Sequence, residues 1–359
     1  MEGMTGVRVE DFDYELPMRL IAQKPLENRA DSRLMVVNPV TKEIEHSHFY
    51  KIRQYLKPGD VLVLNNSKVL PARLYGIKED TGAKIELLLL HQTSDEMTWS
   101  AITKPAERLK DGTRLIFKSD DDAESVCGAC VVTDVYDEGI REVHFEISGP
   151  FETFLNLVGS MPLPPYIHAT LEDKNRYQTV YAKTLGSVAA PTAGLHFTES
   201  LLNELKEYGV EIRFVTLHVG LGTFRPVQVE TVEGHHMHAE WYEVDEETAA
   251  AVRIAKAEGR RVIAVGTTAL RTLESSCEDG VFVAGSRETS IFIYPGYKFQ
   301  TADALITNFH LPKSTLFMLV SAWMGTDFAK HVYQEAVSLE YRFFSFGDAM
   351  FLTRRGEYS

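Results

Sequence analysis

Arg261-Val262-Ile263-Ala264-Val265-Gly266-Thr267-Thr268-Ala269-Leu270-Arg271 decides the fold. Residues 261–265 form a short run rich in β-branched, apolar side chains, the composition of a strand buried on both faces. A glycine turn follows, and from Ala269 the residue types are those of a helix. Strand, tight turn and helix in immediate succession make the repeating unit of a sheet with helical crossovers.

The same alternation surrounds that stretch. Before it the pattern gives a helix over 199–208, a strand over 210–219 and a helix over 246–258, whose first turn Asp245 can cap. After it come strands over 290–294 and 304–306 and helices over 316–324 and 327–340. The expected fold is therefore α/β: a mostly parallel sheet or barrel-like core covered by helices, with ligands held outside the carboxyl ends of the strands. Nearer the start, a helix from Met18, the apolar strand 34–37 and a buried strand 61–64 are expected.

Residues 67–149 have a different texture. Short β-branched and aromatic runs at 72–77, 84–90, 98–103, 113–117, 126–135 and 143–147 are separated by turns such as Asp80-Thr81-Gly82 and Lys110-Asp111-Gly112. Strands with no helical period predict an all-β, barrel-like domain. The expected division is an inserted domain at 67–150 within a discontinuous α/β catalytic domain, 1–66 and 151–359.

With 359 residues, 44% hydrophobic and 25% charged, the chain can bury a large core. No apolar run reaches the ~20 residues of a membrane span, and the N-terminus lacks a basic and apolar leader pattern, so a cytoplasmic protein with no membrane partner is expected. The net charge of −14 opposes indiscriminate nucleic-acid binding, so any RNA contact has to be local. Between Arg19 and Arg33, the cations Arg19, Lys24, Arg29 and Arg33 outnumber Glu27 and Asp31; this is a solvated charged face or a phosphate site. Cys127 and Cys130 sit in a strand pattern that points them to opposite faces, and the histidines His235, His236 and His238 lack ligand spacing, so no metal is expected. Gly220-Leu221-Gly222 lacks the third glycine and the helix of a dinucleotide fingerprint.

Several loops are built to meet a ligand. Gly186-Ser187-Val188-Ala189-Ala190-Pro191-Thr192-Ala193-Gly194-Leu195-His196-Phe197-Thr198 has no charged residue apart from His196 and ends where Thr198 can cap a helix. Gly266-Thr267-Thr268 offers amides and hydroxyls to a carboxylate or phosphate, with Arg271 one turn in; Pro312-Lys313-Ser314 repeats the device with a lysine.

Together with Arg176-Tyr177-Gln178-Thr179-Val180-Tyr181, Leu217-His218-Val219-Gly220-Leu221-Gly222-Thr223-Phe224-Arg225-Pro226, Asp60 to Leu74, Met161 to Ile167, Gly266 to Glu274 and Thr307 to Thr315, these stretches resemble the S-adenosylmethionine:tRNA ribosyltransferase-isomerase family of queuosine biosynthesis. The resemblance implies transfer of the ribosyl group of S-adenosylmethionine to 7-aminomethyl-7-deazaguanine (preQ1) at the tRNA wobble position. The sugar is isomerised to an epoxycyclopentanediol, and adenine and methionine leave. S-adenosylmethionine is then a co-substrate, no tightly bound cofactor is expected, and nothing in the chain demands more than a monomer.

Proton removal beside a sulfonium and protonation of departing adenine suit histidine, and His196 and His218, both in glycine-containing loops, are the candidates for base and acid. Arg176, Arg225 and Arg271 are expected to hold the methionine carboxylate or tRNA phosphates. Tyr177 or Phe197 is expected to stack on a base. The resemblance extends substrate contact to Arg29, Arg33, Arg73, Gln178, Thr192, Gly194, Gly220, Gly222, Thr223, Thr267, Thr268, Asn308, His310, Lys313 and Ser314. Two departures stand out: Arg29-Ala30-Asp31-Ser32-Arg33 replaces the family's usual Arg-Asp-x-Ser-Arg, and Phe343-Phe344-Ser345-Phe346 carries phenylalanines where tyrosines are common. Two other activities fit an α/β protein with such loops: an S-adenosylmethionine-dependent RNA methyltransferase and a non-catalytic tRNA-binding protein.

Overall fold

Val61–Asn65 and Val262–Val265 are buried along their whole lengths, and they pair in parallel at the centre of a sheet. The computed structural model describes residues 6–93, 95–118, 125–164, 166–169, 171, 173–220, 227 and 229–353. It divides into two compact units, the first comprising Met1–Ser67, Pro165–Thr184 and Ala190–Ser359, the second Lys68–Pro164 and Leu185–Ala189.

The first unit holds a nine-stranded sheet in the order Gly285–Thr289, Glu240–Val244, Glu211–Leu217, Val61–Asn65, Val262–Val265, Ala304–Asn308, Ala349–Leu352, Arg33–Asn38, Glu43–His48. The four strands from Glu211–Leu217 to Ala304–Asn308 are mutually parallel. Outside them the direction alternates: Glu240–Val244 and Gly285–Thr289 run antiparallel on one side, Ala349–Leu352 returns antiparallel to Ala304–Asn308, and Arg33–Asn38 pairs parallel with it before turning back as Glu43–His48. The sheet is thus mixed, parallel at its centre and mostly antiparallel toward its flanks. Short hairpins supply those flanks without a helical crossover.

The central strands read as continuous apolar runs because both faces are covered. On one face Leu62, Leu64, Ile263, Val265 and Ile306 pack with Phe49, Ile52, Phe197, Leu201 and Leu205. Helix Glu199–Tyr208 is fixed to that face by Leu201, Leu202 and Leu205; Thr198 accepts from the Leu201 amide at its start. The strand expected at 290–294 forms instead at Gly285–Thr289, and the helix expected from Met18 is one 3-10 turn, Met18–Leu20.

In the second unit six strands close into a ring: Arg73–Lys78, Lys84–Gln92, Thr98–Lys104, Ile140–Ile147, Val126–Val135 and Arg114–Lys118, with Ile77 opposite Ile116 completing it. Every pairing is antiparallel. Ile85, Leu87 and Leu89 alternate as buried positions along one strand, and Leu115, Phe117, Val143 and Phe145 are buried on others, the side-chain filling of a small barrel. Cys130 is buried, its thiol pKa raised by burial, while Cys127 is half-buried.

Candidate active site

Gly266 joins strand Val262–Val265 directly to helix Gly266–Ser275, and it does so with φ +87°, a conformation that strains any residue with a Cβ. Val265 occupies the cap position and has no side chain to offer the first-turn amides. Helices Glu199–Tyr208, Glu246–Ala257 and Thr315–Met324 are capped by Thr198, Asp245 and Ser314. The uncapped helix start faces a recess lined by Thr192, Thr267, Thr268, Asn308, His310 and Ser345, among others. Thr268 Oγ1 is buried there without a hydrogen-bond partner. Amides and a hydroxyl left open at a helix N-terminus suit an anionic or polar ligand group.

Across the recess, the carboxyl end of strand Ala304–Asn308 supplies Thr307 and Asn308. Thr307 Oγ1 lies 2.9 Å from Nε2 of His310, whose pKa burial pushes down to about 3. Asn308 is oriented by its own bonds: Nδ2 donates to the Phe344 carbonyl at 2.7 Å, so Oδ1 turns toward His196 Nε2 at 3.3 Å. Phe344 holds φ +72°, an uncommon backbone conformation for a bulky residue.

His196 belongs to a second recess, with Arg29, Ser32, Arg176, Phe346 and Ser345, the last shared with the first recess. Its ring stacks on Phe49 with centroids 5.0 Å apart, and its Nδ1 lies 2.7 Å from Ser32 Oγ. Because Asn308 Oδ1 only accepts, His196 carries its proton on Nε2 and Nδ1 accepts from the Ser32 hydroxyl. Burial lowers the imidazole pKa to about 4, with Arg342 and Arg29 pushing the same way and Asp348 and Asn308 opposing. The chain Ser32–His196–Asn308 has the order of hydroxyl, base and orienting group. Ser32 is not among the residues that the sequence points to as touching substrate, although it lies in the Arg29-Ala30-Asp31-Ser32-Arg33 motif.

Of the expected residues, Thr192, Thr267, Thr268, Asn308 and His310 line the first recess, and Arg29, Arg176 and His196 the second. His218 lines neither: it stacks on Trp241 at 4.9 Å, its Nδ1 is buried without a partner, and burial lowers its pKa to about 4. Its neighbour Val219 does reach the first recess.

The others are placed differently. Arg271 is buried in an ion pair with Glu240, which also accepts from the Gly220 amide at 2.8 Å, so its charge is already met inside the protein. Lys313 pairs with Glu10 and Asp13 at 3.0 and 3.1 Å, and Ser314 is a helix cap, which leaves neither for an anion in the recess. Arg33 binds Asp348 and the Leu339 carbonyl and lies over the Tyr341 ring. Arg73 lies in the barrel, 3.5 Å from Glu86. Tyr177 and Phe197 are fully buried, Tyr177 edge-on to Phe346 and Phe197 edge-on to Phe49, so neither presents a face to a base. Gln178, beside Tyr177, is half-buried. Gly194 packs so closely on Tyr181 that an added Cβ would stand 1.9 Å from its hydroxyl. Gly222, Thr223 and Arg225 lie outside the described residues.

Comparison with known proteins adds to this geometry. The family model described as "Queuosine biosynthesis protein" matches residues 9–352. Among solved structures, the chain is similar to the S-adenosylmethionine tRNA ribosyltransferase of Thermotoga maritima, with 39% identity over 95% of this chain and 99% of that one and a TM-score of 0.55.

Proposed function

Because this chain belongs to the queuosine biosynthesis protein family, we propose that it is an S-adenosylmethionine:tRNA ribosyltransferase-isomerase. It moves the ribosyl group of S-adenosylmethionine onto the aminomethyl nitrogen of preQ1 at the tRNA wobble position and isomerises it to the epoxycyclopentanediol of epoxyqueuosine. Adenine and methionine are released. The observation that supports the site assignment is the junction of two recesses at His196, Asn308 and Ser345.

In this reading S-adenosylmethionine occupies the first recess. The open amides of helix Gly266–Ser275 and the hydroxyls of Thr192, Thr267 and Thr268 meet its polar groups. The sulfonium acidifies the neighbouring C5′ proton, and the base for it is His196, neutral at pH 7; because its Nδ1 opens through Ser32 on the second recess, the reacting carbon must lie where the two recesses meet at Ser345. Asn308 holds the ring and stabilises the imidazolium that forms. His218, the other histidine that the sequence suggests, lines neither recess and is held unprotonated at pH 7 by burial, which does not support a role as acid toward adenine. The first unit is read as the catalytic domain and the second as the insertion, which runs to Pro164 where 150 was expected and takes in Leu185–Ala189. The enzyme acts as a cytoplasmic monomer with no resident cofactor; among the described residues no helix is long and apolar enough to cross a membrane.

Incubation with S-adenosylmethionine and preQ1-bearing tRNA should release adenine and methionine together. S-adenosylhomocysteine in their place would make the protein a methyltransferase, and retained tRNA binding with no donor consumption would make it a binding protein.

A further inference from the structure

The second recess gathers guanidiniums that, among the described residues, have no carboxylate in direct contact. Arg29 and Arg176 both line it, and the Arg342 guanidinium donates to the carbonyl of Lys24, next in the chain to the lining residues Pro25 and Leu26. Arg29 donates to the carbonyls of Asn175 and Leu195, Arg176 to those of Glu27 and Leu26, and Arg342 to that of Lys24. Carbonyl oxygens satisfy N–H groups, but they do not cancel a charge. Among the described residues, no carboxylate forms an ion pair with any of the three guanidiniums. Asp173 and Asp348 act on Arg29 and Arg342 without forming an ion pair with either, and the oxygens of Asp348 bind Arg33 and the Arg342 backbone amide. Two N–H groups, Arg176 Nε and Arg342 Nη1, are buried with no partner at all.

Holding three cations together, half-buried, in a chain of net charge −14 costs free energy through like-charge repulsion and desolvation. Forked guanidiniums with spare donors match the oxygens of a phosphate. The donor itself is a poor occupant: its sulfonium and α-ammonium outnumber its single carboxylate, and the recess has no acid to receive them.

Resting on the ribosyltransferase reading, we propose that this recess is where a backbone phosphate of the tRNA acceptor docks, anchored by Arg29, Arg176 and Arg342 beside His196. One such anchor gives an acidic protein a local grip on RNA without a broad basic face. It also sets the acceptor strand next to the first recess, through the shared Ser345.

The test measures affinity for preQ1-bearing tRNA between about 50 and 200 mM salt, and affinity for S-adenosylmethionine, in wild type, Arg176→Gln, Arg176→Lys and Arg342→Gln. Each glutamine variant should bind tRNA about tenfold more weakly at low salt, with the slope of log affinity against log salt shallower by about one, and should bind the donor as wild type does. Arg176→Lys should recover most of the slope, since it keeps the charge. An unchanged slope in the glutamine variants, a loss confined to donor affinity, or an Arg176→Lys protein as defective as Arg176→Gln would each overturn the proposal. A wild-type protein that binds no tRNA would instead sink the functional reading on which it rests.

Discussion

Oδ1 of Asn308 and Nε2 of His196 lie 3.3 Å apart across 112 positions of sequence, and that bond decides which nitrogen of the histidine bears the proton. Asn308→Ala releases the ring to rotate and to change tautomer. Adenine release should fall about a hundredfold or more, as for other small losses of catalytic alignment. Donor affinity should change little. Turnover within a few-fold of wild type in a folded Asn308→Ala protein would remove His196 from the chemistry.

Burial holds His196 and His310 neutral, their pKa values lowered from the usual 6.5 to about 4 and about 3. The unfolded chain takes up protons on these rings below about pH 6.5, while the folded protein refuses them until near pH 4 at His196 and near pH 3 at His310. Their contribution to stability is therefore complete above pH 6.5 and is lost as pH falls toward 4, by several kcal/mol in order of magnitude. Denaturant midpoints measured from pH 7 to pH 4.5 should drop steadily, and His310→Gln should flatten the drop if it folds. Histidine NMR signals of His196 titrating near 6.5 would contradict the burial argument.

Gly194 leaves no room for a side chain, since a Cβ there would meet the Tyr181 hydroxyl at 1.9 Å and Thr179 Cγ2 at 2.9 Å. Gly194→Ala should push the Thr192–His196 turn out of place, costing about 1–3 kcal/mol of stability and most of the activity. Tyr181→Phe in the same chain removes the oxygen in the way. The double variant should regain part of both, measured by thermal melting and adenine release; no recovery would mean that the clash lies elsewhere.

Arg271 and Glu240 form a buried pair, so removing one partner strands the other. Glu240→Ala should destabilise the protein by about 3–5 kcal/mol in denaturant unfolding. If Arg271 instead bound the donor's carboxylate, Arg271→Met would weaken donor binding far more than it weakens the fold. The pair predicts the reverse.

The centre of the sheet was legible because its strands are short apolar runs with turns and helices at fixed intervals: Val61–Asn65, Val262–Val265 and Ala304–Asn308 announce themselves by composition. The flanks were not. Glu43–His48 is polar or charged at every position but Ile44, and the direction in which Ala349–Leu352 pairs depends on partners far away in the chain. The site divides in the same way. Thr267, Thr268 and Asn308 stand at strand ends, where position alone suggests a ligand. Arg271 and Lys313 stand there too, yet Glu240, Glu10 and Asp13 claim their charges, and no local pattern in sequence reveals such long-range pairing. Ser32 was hidden for the opposite reason: a serine in a charged segment gives no sign that an imidazole from position 196 will come to rest on it.

The outermost strands of the nine-stranded sheet carry Glu43, Glu45, His46 and His48 at one rim and Arg287 and Glu288 at the other, and the second unit's ring has no rim within its closed circuit. A neighbouring molecule seeking to extend the sheet would have to bury those charges against its own backbone. The protein should therefore resist fibril growth by edge-to-edge strand addition even at high concentration, a protection built from the charged and polar side chains of its edge strands.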